Sequence, residues 1–400
     1  MNGENALGLQ AGRPRHPFMQ IAVNAACLRR DLPADTGAVA TQIIFTLCRQ
    51  QPEHTFTFFF DGDIPAGMEF PPNVTPVVLP IRGEKAWHLY WWLEWQLPRA
   101  MKAFNPDIYL GLDGTLPLRS KIPATILFRD LSFLLDAGLQ SPKQQRNLKK
   151  HLIDYLWRSR SVAVLSETGE KALLDFAPSI KNKLSVLDIG LSNLYKPLEW
   201  EEREAVKKEF AGGAEYFLVP AAIHPRNNIM PVFKAFSALK KRQLSSIKLV
   251  LVGSATPAGQ EIIAAMPSYK FRNDVVWIED ADDATLARLT GGAYAMIYPS
   301  RLDGLPLPIY AAQQCQVPVI AIDGDAVREA GGDSTLFSDP GNIDDLTDKM
   351  SRIYKDEQLR SWLLSQIPPQ KAFSSWEKAA EELWAAMTGP ISDNGTKIPK

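Results

Sequence analysis

Asp303 is the carboxylate in SRLDGLPLPIYAAQQCQVPVIA (Ser300 to Ala321), and a Gly-Leu-Pro-Leu-Pro turn and a run of helix formers follow it. The strand-like run AYAMIYP (293–299) feeds directly into this stretch. Pro308 sits where a first helical turn tolerates proline, so the pattern predicts a helix from about Leu307. The free N–H groups of a helix start attract anions, phosphate among them. A carboxylate beside them accepts hydrogen bonds from sugar hydroxyls. The same turn also serves as a plain connection between a strand and a helix.

Other chemistries have less to stand on. None of the five histidines has metal-ligand spacing, and no Ser-His-Asp arrangement emerges. DADD (280–283) reads as the capped start of a helix, so no metal site and no cofactor are expected. Cys27, Cys48 and Cys315 are few and far apart, which fits a reducing cytoplasm better than a disulfide framework.

The elements that must position Asp303 form two series. A chain of 400 residues exceeds one ordinary core, so two domains are expected. Lys plus Arg total 44 against 45 Asp plus Glu, so no global charge recruits nucleic acid or membrane. No apolar run is long enough to span a bilayer. Near-continuous apolar runs at 19–26, 54–60, 74–81, 107–111, 124–128, 162–166 and 184–189 predict strands covered on both faces, hence a mostly parallel sheet. After the charged seam YKPLEWEEREAVKKEFAGG (195–213), strands are predicted at YFLVPA, 247–253, 274–280, 293–299 and 317–323, separated by helical patterns. Facing open sheets of this kind share a ligand cleft beyond the carboxyl ends of their strands. The expected organisation is a disordered 1–17, one Rossmann-like domain over 18–197 and a second over 198–375. A closing helix over 376–388 returns to the first domain, and a disordered tail spans 389–400.

The stretch from Ser300 resembles the donor signature of the family 4 retaining glycosyltransferases, roughly Ser-x-x-Glu-Gly-Phe-Gly-Leu-Pro-x-x-Glu-Ala-x-x-Cys-Gly-x-Pro-Val. AIHPRNNIMPVFKAF resembles the family stretch that meets the donor pyrophosphate, and REAGGDSTLFSDP its Pro-Glu-Val-Ala-Gly-Asp-Ala-Ala segment. FRDLSF, VLSETGEKALL, SVLDIGLSNLYKP and FSSWEKAAEELW match further family segments in order. The resemblance covers about 18 to 388 and implies the GT-B architecture, two doubly wound α/β domains across a cleft, with 18–197 as the acceptor-side domain and 198–375 as the nucleotide-sugar domain. It implies transfer of a sugar, as a hexosyltransferase, from a nucleotide-sugar to a glycan or lipid-linked acceptor with retention of configuration. By position it assigns the donor to Arg226, Asn227, Ser300, Arg301, Asp303, Gly304, Leu307, Ala311 and Glu329. The reaction centre falls to Arg129 and Asp303, and the acceptor side to Gly37 and Asp130.

The departures from the pattern fall on polar positions. Asp303 stands for the first Glu, its reach shortened by roughly 1.5 Å. Ala311 stands for the second, implied to hold the donor ribose, and offers no acceptor. Asn227 stands for a basic residue, usually Lys, and carries no charge. Arg129 replaces a His, and Val39 a glycine that lets the loop approach donor and acceptor. Arg301 replaces an apolar residue; with Arg226 and Arg129 it makes a substitute phosphate clamp, the alternative being solvated surface charge. Glu329 either accepts from a donor sugar or caps the helix start nearby. The second functional reading is therefore a catalytically degenerate member, a binding or scaffolding partner of an active transferase. A nucleotide-sugar-processing enzyme such as an epimerase fits the closing segments less well.

Two further segments have readings of their own. WHLYWWLEWQLP (87–98) places Tyr90, Trp91, Trp95 and Pro98 at helical spacing, which predicts core packing over a sugar platform. KQQRNLKKHLIDYLWRSR (143–160) is a basic amphipathic pattern, read as a packed helix with a solvated face or as a peripheral contact with the inner face of the membrane.

Overall fold

The computed structural model describes residues 18–29, 34–81, 83, 86–129, 131, 134, 151–224, 227–243, 245–256, 259–300, 304–369 and 374–389. The termini expected to be disordered lie outside these residues, apart from Gly389. Seven strands form the first sheet: β1 (Gln20–Asn24), β2 (Thr55–Phe60), β3 (Val74–Val78), β4 (Ile108–Gly111), β5 (Ala124–Phe128), β6 (Ser161–Val164) and β7 (Leu184–Val186). Their order is β3-β2-β1-β4-β5-β6-β7. Six form the second: β8 (Tyr216–Pro220), β9 (Lys248–Val252), β10 (Val275–Ile278), β11 (Ala295–Tyr298), β12 (Val319–Ile322) and β13 (Thr335–Ser338), in the order β10-β9-β8-β11-β12-β13.

Every strand pair is parallel. The central strands are buried along their whole length, as apolar runs covered on both faces require. Each strand order reverses once, between β1 and β4 and between β8 and β11, and those reversals are where a doubly wound sheet opens a crevice. β13 escaped the sequence reading because Thr335–Ser338 is short and only its two end residues are buried.

The Trp376–Thr388 helix packs on the Ala34–Gln50 helix, burying Ala379, Ala380, Leu383 and Met387 in the core of the first domain. Arg160 holds its far end, donating to Gly389 O at 2.5 Å. Gly190 lies against this return, paired with Ser374; a Cβ there would meet the Trp376 nitrogen at 2.2 Å, so only glycine fits the crossing.

The aromatic run departs from its expected packing. Trp87, Tyr90, Trp91 and Trp95 are exposed, and Trp92, Leu93, Leu97 and Met101 are buried instead. Two apolar stripes compete here at nearly the same spacing. The buried one satisfies its polar atoms: Trp92 Nε1 donates to Leu79 O, and buried Glu94 accepts from the N–H groups of Leu118 and Arg119. A π-helical turn over Trp92–Gln96 shifts the register between the stripes. No helix among the described residues is long and apolar enough to cross a membrane.

Candidate active site

A cavity of about 620 Å³ opens between the domains. The first domain contributes Val39 and Gln42 from the Ala34–Gln50 helix, and the second contributes Pro220 at the end of β8. Asp283 and Thr290 come from the Asp283–Gly292 helix, and the two crossings between domains, Leu191–Tyr195 and Ser374–Glu377, close the remaining side. Leu307, Pro308, Ala311 and Gln314 of the Leu307–Gln314 helix form one wall. Asp283 and Glu377 are the acidic side chains among the described lining residues.

Leu307 begins the helix after the Asp303 turn, with proline in its first turn. Its start is not free to take an anion: Leu307 N–H donates to Leu305 O, Ile309 N–H to Pro306 O, and Pro308 has none. A phosphate there has to displace those carbonyls. Ala311 faces the cavity at 5% exposure, and no side-chain acceptor stands at that position. Gln314, one turn on, also lines it, with its Oε1 buried and unpaired. Burial pushes the neighbouring Cys315 thiol up to about 12, so it is inert as a nucleophile at neutral pH.

Asn227 is buried and donates from Nδ2 to Ala222 O at 2.8 Å, so its amide braces the loop after β8 rather than facing the cavity. Asn228, in the left-handed region at φ 51°, ties this loop to the end of β11 through Pro299 O at 3.2 Å. Ser300 is buried with its Oγ unpaired. Arg226, Arg301, Asp303 and Asp130 lie outside the described residues.

Gly304 and Glu329 join the domains. Ser166 Oγ donates to Gly304 O at 2.9 Å while accepting from Gly169 N–H, as the cap of the Glu167–Phe176 helix. The Glu329 carboxylate accepts from Glu167 N–H and Thr168 N–H, both at 2.8 Å, and from Thr168 Oγ1 at 2.6 Å. Of its two readings the structure shows the cap, on a helix of the opposite domain. Leu305 completes the contact by entering the core of the first domain. Its neighbour Tyr310 has its phenol pushed upward, by burial first and then by Glu329 and Glu167.

On the acceptor side, Arg129 follows β5 and donates from Nε to Leu112 O at 2.9 Å. Gly37 falls in the first turn of the Ala34–Gln50 helix. Val39 is helical and buried, and it is absent from the residues with positive φ, so no strained loop forms there. Sequence reasoning missed the polar group at the first sheet's reversal. Asn24, ending β1, donates to the Asp113 carboxylate at 3.3 Å, and Asp113 accepts from Thr115 Oγ1 at 2.6 Å. The Asp-Gly-Thr turn closing a buried strand was the available signal.

Comparison with known proteins fits this geometry. Residues 201–364 match the family described as Glycosyl transferases group 1. The chain is 22% identical over 284 residues to an O-antigen chain mannosyltransferase B of Escherichia coli, covering 71% of this chain and 74% of that protein. Sucrose-phosphate synthase from Thermosynechococcus elongatus superposes with a TM-score of 0.72 at 17% identity, over 92% of this chain and 97% of that one. HepE of Anabaena, solved in complex with UDP and glucose, superposes with a TM-score of 0.70 at 14% identity, over 93% of this chain and 100% of that one. Residues 201–364 thus form a Glycosyl transferases group 1 domain, and the two parallel sheets facing across a cleft at their reversals give the whole chain the GT-B fold.

Proposed function

We propose that the protein transfers a hexose from a nucleotide-sugar to a hydroxyl of a growing glycan or lipid-linked acceptor, with retention of configuration. The observation that carries this reading is the cavity, whose volume of about 620 Å³ lies in the range of small-ligand sites and whose wall is the helix after the Asp303 turn. The described lining is acidic, so the positive charge a diphosphate needs is assigned to Arg226 and Arg301. Ser300, Gly304 and Asp303 hold the donor, and Arg129 stands at the reaction centre. Asn24 and Asp113 orient the acceptor at the reversal of the first sheet. The mannosyltransferase relative supports mannose as the sugar and an O-antigen-type polysaccharide as the acceptor. Retention rests on the resemblance of the Ser300 signature.

A second reading, a degenerate transferase acting as a binding or scaffolding partner, is favoured by Ala311 and by the inward-turned Asn227. Thermal stability against UDP, GDP, ADP and their sugar conjugates separates the two. A ligand at a hundred times its Kd stabilises by about 2.7 kcal/mol, visible as a shift of a few degrees. A shift with GDP and GDP-mannose is expected. A flat panel from folded protein selects the degenerate reading.

A further inference from the structure

Gln314 Oε1 and Ser374 Oγ are buried without a partner, and both residues line the cavity between the domains. Gln314 ends the Leu307–Gln314 helix and is 6% exposed; Ser374 belongs to the second crossing between the domains. Other hydroxyls of the lining are engaged within the chain. Ser192 Oγ accepts from Leu194 N–H, Thr290 Oγ1 donates to Leu286 O, and Ser375 Oγ accepts from Lys378 N–H. A buried polar atom left unpaired costs free energy that a ligand recovers by supplying the missing hydrogen bond. Gln314 lies one turn beyond Ala311, and a helical side chain leans back over the turn before its own Cα. Leaning that way, its amide serves the stretch of wall where Ala311 offers only a methyl group.

We propose that Gln314 and Ser374 bind two neighbouring hydroxyls of the donor, a vicinal diol of its ribose or of its hexose. The proposal rests on the transferase reading and adds the uncharged groups that grip the sugar. An amide and a hydroxyl suit a hydroxylated, neutral part of the ligand. No Lys or Arg stands among the described lining residues, and Asp283 and Glu377 repel an anion, so this wall does not select phosphate. Leu286, Met296 and Trp376 line the same cavity and supply apolar surface for the C–H faces of a sugar ring. One hydroxyl donates to Gln314 Oε1, and its neighbour pairs with Ser374 Oγ, which both donates and accepts.

The test is calorimetric titration of the full chain with GDP, 2′,3′-dideoxy-GDP and GDP-mannose, and with the matching UDP and ADP compounds in parallel. Gln314→Leu and Ser374→Ala are each expected to weaken binding about tenfold. The unliganded melting temperature should not fall, because each substitution removes a polar atom that has no partner in the chain. Weakening on the diphosphate itself, with the dideoxy compound bound alike by both variants and the wild type, assigns the diol to the ribose. Weakening on GDP-mannose alone assigns it to the hexose. Equal weakening on GDP and its dideoxy form overturns the proposal in favour of contact with the base. Nucleotide binding that ignores both substitutions overturns this proposal alone. Folded wild-type protein that binds none of the nucleotides overturns the transferase reading and this proposal with it.

Discussion

At position 311 the cavity wall presents a methyl group where a hydrogen-bond acceptor would meet a ribose. One charge-assisted hydrogen bond is worth about 1.5–3 kcal/mol, so Ala311→Glu is expected to tighten nucleotide binding about ten- to a hundredfold, read by calorimetry. No gain would show that the cavity does not take the nucleotide at that wall. Asn227→Lys is not its equal partner, because Asn227 is committed to Ala222 O and a lysine there leaves that carbonyl without its donor. Asp303→Ala and Arg301→Ala should each lower kcat/KM at least about tenfold if those groups meet the donor sugar and phosphates. Unchanged rates would remove them from the site. The sequence revealed which residue types occupy these positions, since a motif fixes spacing. It left open where each amide and carboxylate points, because Asn227 and Glu329 find partners that are distant in the chain or on the neighbouring loop.

Strands and helices were the most legible elements. All seven strands of the first sheet and five of the second coincide with apolar runs, and the central ones cannot alternate because they are buried on both faces. Failures came where two local solutions lay close in energy. In the run from Trp87 to Met101 both stripes are apolar, and Glu94 beside the buried one is 2% exposed, its carboxylate holding the turn at Leu118 and Arg119. Glu94→Ala leaves two backbone donors without their acceptor and is expected to cost about 2–3 kcal/mol, read by urea denaturation. A loss below about 0.5 kcal/mol would mean that the packing of Trp92 and Leu97 alone sets the register.

At the scale of the whole molecule, Glu329 carries three hydrogen bonds between the two domains. Glu329→Gln keeps the size of the side chain but removes the charge that suits a helix start. The expected result is a larger radius of gyration by small-angle scattering, with the melting temperature nearly unchanged. An identical scattering profile would show that Leu305 and Ser166 hold the cleft without it. The closing helix is a stronger tie, and a chain ending at 375 is expected to lose soluble first domain, because the Ala34–Gln50 helix would face water along the surface that Ala379, Leu383 and Met387 cover.

That helix also sets an order of events during synthesis. The cores of the second domain draw on Val206 to Leu363 and are complete once that segment has emerged from the ribosome. The first domain is translated earlier, yet one face of its core waits for Met387. The half of the protein made first is therefore the half finished last, and in the interval its uncovered Ala34–Gln50 face is the surface a chaperone would have to guard.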